Sequence, residues 1–160
     1  VPRNEAIRSC SQLISASLEV SLILESCFVE GEMMAITLNH TIVPCFDNVE
    51  SAKFYCKLFG FENIGEFSRF IVVRVNDTLC LDFDSRDKFD SNHYAFKVSE
   101  QEFDEIFERL QAGNIQYGSG PSEANNAKIN HNYDGRGVYF RDPNGHLLEL
   151  LTVDYVMPAH

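Results

Sequence analysis

Asn92-His93-Tyr94-Ala95-Phe96-Lys97-Val98-Ser99-Glu100-Gln101-Glu102, running on to Gly113, is the stretch that decides the fold. Its first half alternates: Tyr94, Phe96 and Val98 take one face of a strand, and His93, Ala95 and Lys97 take the other. Its second half changes period. Ser99 with Glu102 three residues on is a capping-box pattern, and Phe103, Ile106, Phe107 and Leu110 then fall on one face of a helix expected to end at Gly113 as its C′ residue. The same passage occurs earlier in the chain. Asn39-His40 leads an apolar strand, a helix opens at Asp47 with Glu50 three residues on, and Val49, Ala52, Cys56 and Phe59 share a face before Gly60. The offset is 53 residues in each case, from His40 to His93 and from Gly60 to Gly113, which marks a duplicated unit.

Short strand-like runs follow each helix. Phe61–Phe67, Phe70–Val75 and Thr78–Phe83 come after the first, with Asn76-Asp77 as a turn. Ile115–Tyr117, Gly137–Arg141 and His146–Val153 come after the second, with Asp142-Pro143-Asn144-Gly145 as the closing turn and His146 expected to cap it or face outward. The expected fold is α+β: paired βαβββ modules, about 36–84 and 91–153, forming a curled mixed sheet with helices outside and a concave cup inside. A single domain over 35–155 is expected, with 156–160 as a tail. Residues 1–34 read as an N-terminal extension whose status is open, since Met33-Met34 stands just before the first strong strand.

Three side chains are polar intruders in apolar strands: His40, His93 and Glu149, the last within His146-Leu147-Leu148-Glu149-Leu150-Leu151. Two imidazoles and a carboxylate in such surroundings are costly unless something pairs with them. A divalent metal is an effective partner, and two His with one carboxylate leave coordination positions open, the ligand set of non-haem Fe(II) sites that Mn, Zn or Ni also accept. All three would have to point into the cup.

The net charge of −11 opposes binding to nucleic acid and to anionic membrane surfaces, so neither is an expected partner. An anionic substrate would need a local cation such as Arg136, Arg141 or Lys128. Five cysteines, Cys10, Cys27, Cys45, Cys56 and Cys80, include no C-x-x-C pair and read as reduced thiols of a cytoplasmic protein. Glu19 and Glu25 interrupt the early apolar patch, which disfavours a signal peptide, and no apolar run is long enough to span a membrane.

Over about residues 35–155 the chain resembles the vicinal-oxygen-chelate superfamily, which includes glyoxalase I, extradiol dioxygenases, fosfomycin-resistance thiol transferases and bleomycin-resistance proteins. The resemblance implies metal ligands on the first strand of each module and the last strand of the second, here His40, His93 and Glu149. Ile129-Asn130-His131, followed by Val138-Tyr139-Phe140-Arg141-Asp142-Pro143-Asn144-Gly145 and then Glu149, looks like the extradiol signature. It implies that His131 and Tyr139 are catalytic pocket residues able to donate or accept protons. By this resemblance the expected activity is Fe(II)-dependent dioxygenation of a small catechol-like substrate with vicinal oxygens, in a homodimer. Alternatives are a glyoxalase-like lyase or isomerase with Asp82 as a possible fourth ligand, and a bleomycin-resistance-type binding protein. Two departures stand out: Thr78 lies near where the extradiol enzymes carry a second pocket histidine, and Thr152–His160 lacks the arginine of the fosfomycin enzymes.

Overall fold

The computed structural model describes residues 36–156, and the compact unit begins at Thr37. The expectations for the 1–34 extension, for Cys10 and Cys27 and for most of the tail lie outside the described residues. The first module comprises β1 (His40–Cys45), α1 (Asn48–Phe59), β2 (Glu62–Phe67), β3 (Phe70–Arg74) and β4 (Cys80–Ser85). The second comprises β5 (His93–Lys97), α2 (Glu100–Ala112), β6 (Tyr117–Gly118), β7 (Gly137–Arg141) and β8 (Leu147–Leu151), with a single 3₁₀ turn at Asn132–Asp134. Both are βαβββ. Their sheets have matching orders, β1-β4-β3-β2 and β5-β8-β7-β6, with one parallel pair in each, β1 with β4 and β5 with β8. The fold is the expected α+β pairing of two modules, and the two sheets are not closed into one by the chain itself.

Both helices start where their caps lie. Asp47 accepts a hydrogen bond from the Glu50 amide, and Ser99 and Glu102 form the reciprocal capping box. Gly60 ends α1 in the left-handed region at φ 82°, where a side chain would be strained. Gly113 does not do the same for α2. It stays right-handed at φ −79°, and Asn114 at φ 52° makes the reversal instead. The buried face of α1 also differs from the expected one: Ser51, Ala52, Tyr55, Leu58 and Phe59 turn inward while Val49 is 44% exposed. Tyr55 supplies the missing apolar surface, because its ring is wholly buried while its hydroxyl finds a partner.

One core serves both modules. Val43, Tyr55, Phe59 and Phe83 from the first pack with Phe103, Leu110, Phe140, Leu148 and Leu150 from the second. Phe59 is the hinge of this contact, its ring 4.9 Å from Phe61, 4.8 Å from Phe96 and 6.3 Å from Phe140. These side chains come from the helix-covered sides of the sheets. The opposite, open faces therefore lie on the far side of each sheet from the shared core.

A polar joint fixes this arrangement. The Tyr55 hydroxyl donates to Asp142, Asn144 donates to Ser51 Oγ and accepts from the Phe46 amide, and Arg109 donates to the Leu58 carbonyl. His146 is fully buried, which corrects the expectation of a turn cap or an outward ring. Its Nδ1 accepts from the Asn92 amide at 2.9 Å, and its Nε2 donates to the Pro44 carbonyl at 2.7 Å, so one neutral tautomer satisfies both modules. Replacing His146 by Leu is expected to orphan that amide and that carbonyl. Chemical denaturation should show a loss of about 2–4 kcal/mol of stability.

Candidate metal centre

The register of the second sheet sets out the site in rows. Glu149 on β8 stands opposite Ala95 on β5 and Tyr139 on β7, and in the next row Leu147 stands between His93 and Arg141. Directly opposed residues share a face, so His93, Glu149, Tyr139 and Arg141 all project from the open side. Leu148 and Leu150 alternate with Glu149 and enter the core.

Glu149 is only 3% exposed, and a carboxylate so placed must be fully partnered. The Tyr139 hydroxyl donates to Oε1 at 2.5 Å and the Tyr155 hydroxyl to Oε2 at 2.7 Å. His93 Nε2 lies 3.2 Å from the same Oε2. Burial, reinforced by the Glu149 hydrogen bond and charge, pushes the Tyr139 phenol far above the ordinary tyrosine range, and the Tyr155 phenol shifts upward for the same first two reasons. Both therefore remain protonated donors at neutral pH. Held from two sides, the carboxylate keeps Oε2 toward His93.

This donor set fits a divalent cation. Two ligand atoms each about 2.1 Å from one ion, at right angles, stand about 3 Å apart, close to the His93–Glu149 separation. The third expected ligand lies elsewhere. His40 sits on the open face of the first sheet, exposed, with Nδ1 donating to Asn39 Oδ1 at 2.9 Å, which leaves the Nε2 lone pair outward. Among the described residues no three His, Cys, Asp or Glu side chains converge on one point. One chain thus presents two donors on one face and a third on another. Asp82 pairs in register with Ile42, two residues from His40, and so shares the His40 face.

His131 is exposed at the start of the 3₁₀ turn and its side chain makes no hydrogen bond among the described residues, although its neighbours Asn130 and Asn132 line a small cavity with Glu149, Tyr133 and Tyr155. Tyr155, which donates to Glu149, is the residue of this cluster that sequence reasoning passed over. It lies beyond the last strand, and its only sequence signal is a lone phenol six residues past Glu149. Cys45, Cys56 and Cys80 are unpaired thiols, and burial pushes the first two upward, consistent with packing roles.

Two mixed sheets in paired βαβββ modules, with His and Glu on their open faces, define a vicinal-oxygen-chelate fold. The chain belongs to the Glyoxalase/Bleomycin resistance protein/Dioxygenase superfamily, whose family model matches residues 37–150. It is 30% identical over 125 residues to the glutathione transferase FosA of Serratia marcescens, covering 73% of this chain and 81% of that protein. Among solved structures it is similar to oxidase ChaP-H2, with 44% identity and a TM-score of 0.73 over 76% of this chain and 97% of that one. Oxidase ChaP-H1 is similar at 41% identity and a TM-score of 0.72, over 76% and 98%. No described helix is long and apolar enough to cross a membrane.

Tyr139→Phe removes the donor to Oε1 and is expected to lower metal affinity by about 10- to 100-fold, read by competition with a fluorescent chelator. A pH titration offers a second check. Because burial raises the phenols of Tyr55 and Tyr139, the stabilisation that they give is complete below the unfolded tyrosine value of about 10 and declines above it. Tyrosinate absorbance from these two rings should appear only together with unfolding.

Proposed function

We propose that the protein is a metal-dependent, oxygen-using enzyme of the extradiol dioxygenase kind, acting on a small catechol-like substrate. The observation that carries this reading is the buried Glu149 carboxylate, with His93 at 3.2 Å and a phenol on each of its oxygens. His93 and Glu149 would hold the ion, and His40 of a second copy of the chain would complete the set in a homodimer. The exposed apolar side chains Ile42 and Phe67, at 40% and 71%, lie on the strands of the sheet that bears His40 and suit such a partner. Fe(II) is the favoured metal, with Mn, Zn or Ni as the other candidates. When bound, it supplies Lewis acidity toward adjacent substrate oxygens and a path for electrons to O₂.

The chain's own residues do the rest. Tyr139 orients Glu149 by donating its one proton to Oε1 and, lying 6.1 Å ring to ring from His93, borders the substrate position with a hydroxyl oxygen still able to accept a hydrogen bond. Tyr155 holds the second oxygen. His131, on the loop whose neighbouring asparagines approach Glu149, would pass a proton to or from bound substrate. The similarity to two oxidases at above 40% identity supports oxidative chemistry. A lyase or isomerase reading is favoured by one observation, the shared face of Asp82 and His40, which could furnish a fourth ligand.

Anaerobic reconstitution with Fe(II) should give oxygen uptake that depends on added catechol. Isomerisation of a thiohemiacetal with Ni or Zn, and no oxygen uptake, would select the runner-up. Co-expression tests the shared site: His40→Ala and Glu149→Ala should each bind no metal alone. Mixed, they should recover about a quarter of the wild-type content, since half of the dimers are mixed and each keeps one intact site. Recovery of none would mean that the ligands come from one chain.

A further inference from the structure

The net charge of −11 repels any anion from this surface, so an acidic substrate requires a cation built into the site. Of the three candidates, Arg136 is already committed. Its Nε and Nη1 bond Glu100 and Asp104 at 2.6 Å each, and its guanidinium lies 4.3 Å above the Phe103 ring. Lys128 stands exposed on the long loop and lines none of the cavities described. Arg141 differs from both. Among the described residues Arg69, Arg74, Arg86, Arg109 and Arg136 each have a carboxylate partner, and Arg141 has none. Its single hydrogen bond runs from Nη1 to the Gly145 carbonyl at 2.7 Å, which steadies the side chain and leaves Nε and Nη2, one edge of the fork, without a partner.

Arg141 lines a cavity of about 400 Å³ together with Ile115, Gln116, Pro121, Ser122 and Asn125, a size that takes a small organic ligand. The register places its Arg141 wall on the same sheet face as His93 and Glu149. Gly118 stands opposite Tyr139, so one step along the same antiparallel pairing Gln116 comes level with Arg141, in the row that ends at His93. Two strand spacings separate Arg141 from His93, roughly 10 Å between backbones. The roof is the loop after β6, which crosses so closely that a Cβ on Gly118 would sit 1.6 Å from the Glu123 carbonyl oxygen. Its apolar lining, Ile115 and Pro121, suits a planar ring, and an arginine fork suits a carboxylate.

From this juxtaposition we infer that the cavity is an anion subsite in which Arg141 receives the carboxylate of an aromatic substrate whose adjacent oxygens lie at His93 and Glu149. The inference rests on the proposed reading of this face as the substrate face and narrows the substrate class to carboxylated ortho-diols.

Binding to the metal-free protein tests the subsite apart from the reaction. Benzoate should bind more tightly than its neutral counterpart benzamide by about tenfold or more, with amide shifts in NMR spectra centred on residues 116–125. Arg141→Met should abolish that preference, and Ser122→Asp, which sets a competing carboxylate on the cavity wall, should weaken benzoate in the same way. In the Fe(II)-loaded enzyme, Arg141→Met should raise KM for 3,4-dihydroxybenzoate by a similar factor with kcat little changed, and leave KM for catechol unaltered. Equal affinity for benzoate and benzamide, or a preference that survives Arg141→Met, overturns the subsite. If no catechol supports oxygen uptake while benzoate preference still follows Arg141, the reaction assignment falls and the subsite stands.

Discussion

The structure turns on the buried polar joint at Asp142–His146. Two βαβββ modules could pack in several ways, and this joint selects the one in which their helix-covered faces share a core. Asp142 takes the Tyr55 hydroxyl, Asn144 takes Ser51 and the Phe46 amide, and His146 spans from the Asn92 amide to the Pro44 carbonyl. No buried side-chain polar atom among the described residues lacks a partner. An unsatisfied network of this kind would be worse than an apolar one, so its completeness is what makes the arrangement specific.

The functional consequence follows from that choice of faces. With helix sides inward, both open sheet faces turn outward, one with His40 and Asp82, the other with His93, Glu149, Tyr139 and Arg141. In the proposed three-ligand centre, His40 would therefore come from a second copy of the chain. The same closing turn that looks like part of a catalytic signature thus acts structurally, while Tyr139 just before it and Glu149 just after it face the site.

Much of this was legible in the residues. The 53-residue repeat announced paired modules, the caps at Asp47 and Ser99 located both helices, and alternation assigned His93 and Glu149 to open faces. Other features were not. Val49 and Tyr55 exchanged places on α1 because a phenol can bury its ring while its hydroxyl reaches Asp142, a partner 87 residues away that no local pattern signals. Asn114 rather than Gly113 took the left-handed turn, since asparagine tolerates that region and either residue can end a helix. Tyr155 escaped notice because its role depends on where the chain leads it after β8.

By itself the sequence determined the kind of element along the chain, the duplication, and which strand residues turn to the open faces, because hydrophobic period and capping are local properties. Only the tertiary structure decided which faces meet, that His146 is a buried fastener, that the Glu149 carboxylate is held by two phenols, and that Arg141, alone among the described arginines, lines a cavity with no carboxylate partner. Those outcomes depend on groups distant in the chain competing for the same hydrogen bonds and the same buried volume, and that competition is resolved only when the whole domain has packed.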